Sequence, residues 1–429
     1  MLLILCRKEH NRIVKSTKIN VNILKKLKIF NDPIYGFIAV RNPLIYKIIE
    51  HPYFQRLRRI SQMGLSYLVY PGAHHTRFHH VLGCTYLMKQ AVETLRMKDV
   101  EISEKEEEAL TIAILMHDIG HGPFSHALEH CLIKGVGHEQ VSLRIMHLLN
   151  EEYDGALDLA IEVFKGEYSR GFMNQLISGQ LDMDRLDYLK RDSFYSGVAE
   201  GNINAERLIT MLNVKDDQLV VEVKGLYSVE KFIMARRFMY WQVYLHKTGI
   251  VAERVLVKIL ERVRELIQGG NDVKCAAPLL RFLTEDVSFD TFDTDTLETF
   301  IRLDDYDVMS ALKGWCFHED QILSGLSRSL VNRRLPKIEM RNEAFKEDYI
   351  RKIRSQVKEK LGVSEKSLDY YVYQGEVDNR AYNPDREQIQ ILYKNGNRKD
   401  IIEASDSESI GALSMTIKKY YLCYPKKLL

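Results

Sequence analysis

The stretch Ala109–Met116 is apolar on nearly every side, and it constrains this chain more than any other feature. Ser103, followed three residues later by Glu106, forms a capping box just ahead of it, so a helix starts there. Gly120 and then Gly122-Pro123 end it. A helix without a polar face has to be enclosed by other elements. The fold must therefore be layered around this segment, and the segment delivers His117-Asp118 at its C-terminal end. A negative helix end beside that pair favours a cation.

The surrounding pattern is helical from Lys28 to about Gly270, with one alternating stretch, MLNVKDDQLVVEVK, that reads as a hairpin turning at Asp216-Asp217. From about residue 340 the texture changes. QIQILYKNGNRKDIIEAS reads as two strands around an Asn395-Gly396 turn, and VYQG and KKYYLCY as further strands. The expected architecture is mainly α: an N-terminal extension over 1–25, a helical body over 26–339 and a small α+β lobe over 340–429. A chain of 429 residues is long enough to bury such a core without staples.

Charge and cysteine usage exclude several classes. With 61 Lys+Arg against 59 Asp+Glu the net charge is +2, so no global field grips nucleic acid or an anionic membrane. The six cysteines lie far apart and form no CxxC motif, which fits reduced thiols. In MLLILCRKEH the basic residues follow the apolar ones, the reverse of a signal peptide. No apolar run approaches the roughly 20 residues needed to span a bilayer. A soluble cytoplasmic protein with no membrane partner is expected.

Ten of the 14 histidines fall between His74 and His147. His10, His51, His318, His130 and His147 read as ordinary surface or packing residues, while His74, His75 and His79 stay open. A sharper set is His80, His117, Asp118 and Asp184. Two imidazoles and two carboxylates suit a divalent ion such as Mn, Fe, Zn or Mg, which neutralises phosphate charge and activates water. A His-Asp pair by itself is also a common buried hydrogen bond, so the context matters. It reads HDIGHGPFSH over 117–126, with glycines for a tight turn and His121 and His126 as phosphate or proton contacts. Downstream, DMDRLDYLKRD places Asp184, Asp187, Tyr188 and Arg191 on one helix face, opposite Met183, Leu186 and Leu189.

At these residues the sequence resembles the HD-domain phosphohydrolases, and within them the deoxynucleoside triphosphate triphosphohydrolases of the SAM-and-HD-domain type. KIFNDPIYGFI (28–38), FQRLRRISQMG (54–64), PGAHHTRFHH (71–80), HDIGHGPFSH, GHEQ (137–140), DMDRLDYLKRD and YWQVYLHK (240–247) carry the resemblance in order. It implies water attack on the α-phosphorus of a dNTP, with deoxynucleoside and intact triphosphate as products. It also implies roles. His80, His117, Asp118 and Asp184 would hold the metal. His121, His126 and His138 would contact phosphate or supply a proton, with Glu139 orienting one of them. Arg77, Arg185 and Arg236 would bind triphosphate, Gln62 and Asp192 the sugar 3′-hydroxyl, and Tyr188 and Tyr244 would exclude a 2′-hydroxyl.

The same resemblance implies a GTP or dGTP activator at Lys28, Asn31, Glu50, Gln55 and Arg58, a neighbouring activator site at His246, Lys247 and Arg333, and a homotetramer. FQRLRRI is equally a basic amphipathic helix with Phe54, Leu57 and Ile60 inward. Three positions depart from the family: Arg185 replaces a lysine, Leu245 a polar residue near the base, and His79 an acidic residue. Two other readings stay open: an HD phosphodiesterase or phosphatase for another nucleotide, and a nucleic-acid-binding sensor on the same fold.

Overall fold

The computed structural model describes residues 27–426, and the expected N-terminal extension, 1–25, lies outside them. A two-stranded hairpin, β1 (Lys28–Asp32) and β2 (Gly36–Val40), opens the described chain. Helices follow: α1 (Arg77–Arg96), α2 (Glu104–Met116), α3 (His138–Glu152), α4 (Asp158–Lys165) and α5 (Met183–Ser196). Among the described residues no helix is long and apolar enough to cross a membrane.

Helix α2 is the enclosed element that the sequence demands. Its capping box is formed: Ser103 accepts from the Glu106 amide at 3.2 Å, and the Glu106 carboxylate accepts from the Ser103 amide at 2.8 Å. From Ala109 to Met116 every residue but Thr111 is buried, between α1 and α4. Helix α5 packs across α1. The three helices that carry the candidate metal ligands thus share one interior.

The hairpin at Asp216-Asp217 is present as β3 (Leu212–Lys215) and β4 (Gln218–Glu222). Both aspartates take left-handed φ, 51° and 54°, a mirror-image turn that matches strand twist. Then come α6 (Leu226–Met239), one π-helical turn at Tyr240–Tyr244, α7 (Lys247–Gln268) and α8 (Gln321–Val331). Strands β5 (Lys337–Arg341), β6 (Tyr373–Asn379) and β9 (Ile417–Tyr424) form a sheet ordered β5-β9-β6. Strands β7 (Gln390–Leu392) and β8 (Arg398–Asp400) turn at Gly396, where φ is 85°.

The architecture is mainly helical with small sheets, but the C-terminal residues are stitched into the body. Strand β7 runs parallel to β4, pairing Val220 with Gln390 and Glu222 with Leu392. The boundary expected between 339 and 340 falls inside β5. Tyr382, Ile391, Ile401 and Tyr421 join the main core, and a separate small core gathers around Ile350, Ile353 and Val357. Sequence texture marks where strands begin, whereas pairing over long separations decides which unit they belong to.

The α2 cap makes a pH-dependent contribution. Burial pushes the Glu106 carboxyl up, but hydrogen bonds from the Ser103 backbone, Arg170, the Ser103 hydroxyl and Tyr168 outweigh it and bring it down to about 2. A depressed folded-state value means stability present above the usual 4.5 and lost as pH falls toward 2. Glu106→Gln should lower the melting temperature at pH 7 and flatten its fall across that acid window. An unchanged acid limb would show that the cap contributes nothing there.

Candidate metal centre and the surrounding pocket

The sequence brings His80 inward on the first turn of α1, His117-Asp118 at the end of α2 and Asp184 in the first turn of α5. The structure collects all four. His80 Nε2 lies 3.0 Å from Asp184 Oδ1 and 3.7 Å from Asp118 Oδ2. His117 Nε2 lies 3.3 Å from Asp118 Oδ1 and 3.5 Å from Asp184 Oδ1. The His80 and Asp118 side chains are almost wholly buried, at 1% and 7% exposure.

The donor set fits a divalent cation on the structure's own terms. His117 Nδ1 donates to the Ile114 carbonyl at 2.6 Å, which turns Nε2 into a lone-pair donor. That Nε2 is buried with no hydrogen-bond partner, although two carboxylates lie beside it. His80 Nδ1 likewise meets Asp187 Oδ2 at 2.8 Å, presenting Nε2 to the same centre. Burial alone would lower the His117 value, yet Asp118 and then Asp184 raise it. The two carboxylates draw positive charge into the site, as a proton or as a metal ion. Cys84 Sγ, 3.5 Å from His80 Nδ1, adds a soft atom to this cluster.

Around this centre the other expected residues take distinct places. Arg77 forms a buried ion pair with Asp118, and its Nε and Nη2 donate to Ser125 Oγ at 3.0 and 2.8 Å. His121 lies 3.3 Å from Asp118 and stacks on His138, with ring centroids 3.8 Å apart. The His126 side chain lies outside the described residues. Tyr244 donates to Asp192 Oδ2 at 2.8 Å and meets Tyr188 edge to face at 6.0 Å. The π-helical turn carries Tyr244 inward, a distortion often found at functional sites. Gln62 Oε1, Arg185 Nε and Arg236 Nε are buried without hydrogen-bond partners, as is His117 Nε2. Native proteins rarely leave such atoms unmet without a reason.

The remaining expected residues make contacts that the sequence did not show. Glu139 is exposed in the first turn of α3, and the carboxylate that meets His138 Nδ1, at 2.7 Å, is that of Glu129. Successive helix residues diverge by about 100°, so Glu139 cannot share His138's direction. Arg185 folds back on its own helix start, donating to Asp182 and the Gly179 carbonyl. Arg236 Nη1 donates to the Ala381 carbonyl at 2.9 Å, so a C-terminal segment lies against the site. Gly120 lies in the expected turn, where the His121 amide donates to the Asp118 carbonyl at 3.2 Å. A Cβ there would collide with the His138 carbonyl and the Ser142 amide of α3. The left-handed residues are Phe124 and Ser125, with φ of 51° and 47°.

Of the histidines left open, His75 binds Asp192 Oδ1 at 2.7 Å, His79 closes the α1 capping box with Thr76, and His74 stacks on Tyr67. An imidazole at N3 of α1 thus takes the capping place usually filled by Glu or Gln. The sequence reading passed over Glu129, Ser125 and Asp32. Nothing in their local pattern announces a site: Ser125 and Asp32 act across long chain separations, and Glu129 across nine residues that fold back.

The residues expected for activators lie at the surface. Asn31, Glu50 and Arg58 are exposed, and Lys28 rests on the Tyr46 ring, 4.6 Å from its centroid. Arg58 donates to Gln55 at 2.8 Å and covers Phe78. His246 caps α7, while Lys247 and Arg333 line one cavity with Lys337 and Lys426.

Asp184→Ala should reduce bound Mn²⁺ from stoichiometric to trace amounts, read by elemental analysis, with the circular dichroism spectrum unchanged. Full metal retention would remove Asp184 from the ligand set.

The HD domain matches residues 77–192, and the HD associated region matches 203–277. YwfO of Bacillus subtilis is 34% identical, over 95% of this chain and 94% of that protein. The human deoxynucleoside triphosphate triphosphohydrolase SAMHD1 is 31% identical over 56% of this chain, which spans 45% of the human protein. A crystal structure of a phosphohydrolase from Bacteroides thetaiotaomicron superposes with a TM-score of 0.90 at 50% identity, over 94% of this chain and 100% of that one. A His/Asp cluster at the end of an enclosed helix, on this fold and with these relatives, establishes that the chain belongs to the HD-domain phosphohydrolases.

Proposed function

We propose that this protein hydrolyses dNTPs to deoxynucleoside and inorganic triphosphate at the His80–His117–Asp118–Asp184 centre. The observation that carries the reading is the Tyr188–Tyr244–Asp192–His75 wall. Asp192 is fixed on both oxygens, by His75 and Tyr244, 2.7 and 2.8 Å away. Its position is set before substrate arrives, which suits a group that reads a sugar hydroxyl. The two tyrosine rings, packed edge to face, leave a ribose 2′-oxygen to pay both a steric and a desolvation penalty.

A divalent ion in the His80–His117–Asp118–Asp184 set would supply an activated water and neutralise phosphate charge. The chain's own groups do the rest. Arg77, Arg185 and Arg236 place guanidinium charge for the triphosphate, and the unpartnered Nε atoms of Arg185 and Arg236 are suited to phosphoryl oxygens. Burial, with Arg77 nearby, holds His121 well below its usual range, so it stays neutral. His138, its ring oriented by Glu129 at Nδ1, would act as the proton donor to the departing 5′-oxygen. His126 is proposed to join this histidine group.

The regulatory reading belongs to the same proposal. GTP or dGTP would bind at Lys28, Asn31, Glu50, Gln55 and Arg58, and a second nucleotide at His246, Lys247 and Arg333, between subunits of a homotetramer. Four cations around one cavity, Lys247, Arg333, Lys337 and Lys426, support a polyphosphate there.

The metal-loaded protein should release intact triphosphate from dNTPs, resolved by ion chromatography, with a rate that rises when GTP or dGTP is added. No triphosphate from any dNTP, with metal bound, would redirect the assignment to another nucleotide. Tyr188→Ala should narrow the dNTP-over-rNTP preference by about tenfold or more, since one steric contact contributes roughly 1–3 kcal/mol. An unchanged preference would take Tyr188 out of the sugar wall.

A further inference from the structure

We propose that Asp32, on the N-terminal hairpin, is a positioning residue of the metal centre, acting on His80 through Arg191 and Asp187. The inference rests on the metal-centre reading and not on the identity of the nucleotide.

The four side chains form one buried line of alternating charge. His80 Nδ1 meets Asp187 Oδ2 at 2.8 Å. Arg191 grips both Asp187 oxygens, Nε to Oδ2 at 2.8 Å and Nη2 to Oδ1 at 2.9 Å. Its remaining arm, Nη1, donates to Asp32 Oδ2 at 2.8 Å. The Asp187 and Arg191 side chains are 0% exposed and that of Asp32 is 3%. The other Asp32 oxygen accepts from the backbone amides of Ile34 and Tyr35, at 2.8 and 3.0 Å, within the turn that joins β1 to β2. Tyr35 in turn lies under the Arg191 guanidinium, with its ring centroid 5.6 Å away.

This arrangement has a use beyond tying down a hairpin. A metal-ligating imidazole needs its second nitrogen held to fix ring angle and tautomer. Asp187 holds that nitrogen, and Arg191 fixes Asp187. Asp32 decides where Arg191 can sit, because a guanidinium with all three arms engaged has a single position. Gly83 leaves the room: a Cβ there would collide with Asp187 Oδ1 and Arg191 Nη2. The hairpin is thereby mechanically continuous with His80, so a ligand that displaces β1 would change the metal site directly.

The test is Mn²⁺ affinity, measured by calorimetry on metal-stripped protein and thus independent of any nucleotide. Asp32→Asn should weaken Mn²⁺ binding about tenfold, at the low end of the 10–100-fold span for outer groups around metals, and excess Mn²⁺ should restore occupancy. Asp187→Asn should weaken it at least as much. In the Asp187→Asn background, Asp32→Asn should add little, because both act through one line. Parent-like affinity in a folded Asp32→Asn protein, or losses that multiply in the double variant, would overturn the proposal. If Asp32→Asn does not fold, Arg191→Lys replaces it. Lysine keeps the charge but cannot hold three oxygens in that fork, so a tenfold loss supports the proposal and parent affinity overturns it.

Discussion

Helices α1 and α5 approach closely enough at Gly83 for His80 to reach Asp184 and Asp187 together, and the site depends on that approach. A side chain at position 83 would occupy the space of the Asp187–Arg191 pair. Burying such a pair is expensive in solvation, and it persists only where every lone pair and proton is met. Here Arg191 meets three carboxylate oxygens and His80 meets a fourth contact on Asp187. The enclosed helix α2 then brings His117 and Asp118 to the same point from the opposite side.

The ligand set was readable in the sequence because its residue types are specific and its spacing follows helix geometry. His80 sits one turn into α1, His117-Asp118 closes an apolar helix, and Asp184 opens an amphipathic one. The hairpins were readable for a similar reason. Asp216-Asp217 and Asn395-Gly396 tolerate left-handed φ, and they turn where expected. What surrounds the ligands was less legible. Glu139 is adjacent to His138 in sequence, yet Glu129 makes the contact because a short helical loop folds it back. Gly120 takes its place in the expected turn, and it also allows α3 to approach. At both places the contact that the sequence hides is one of packing between segments.

The C-terminal third shows the same limit. Its strands were visible as alternating segments, but not that β7 would extend the β3–β4 hairpin or that Ala381 would take an arm of Arg236. Through that contact, and those of Gln180 with Asn383 and Glu387, residues after 340 pack against the helical body.

The central claim is that His80, His117, Asp118 and Asp184 hold one divalent ion. Anomalous diffraction from Mn²⁺-loaded crystals tests it most directly. The account predicts an anomalous peak bonded to Nε2 of both histidines and to an oxygen of each aspartate. A peak held by His121 and His138 without Asp184, or no peak among the four residues, would contradict it.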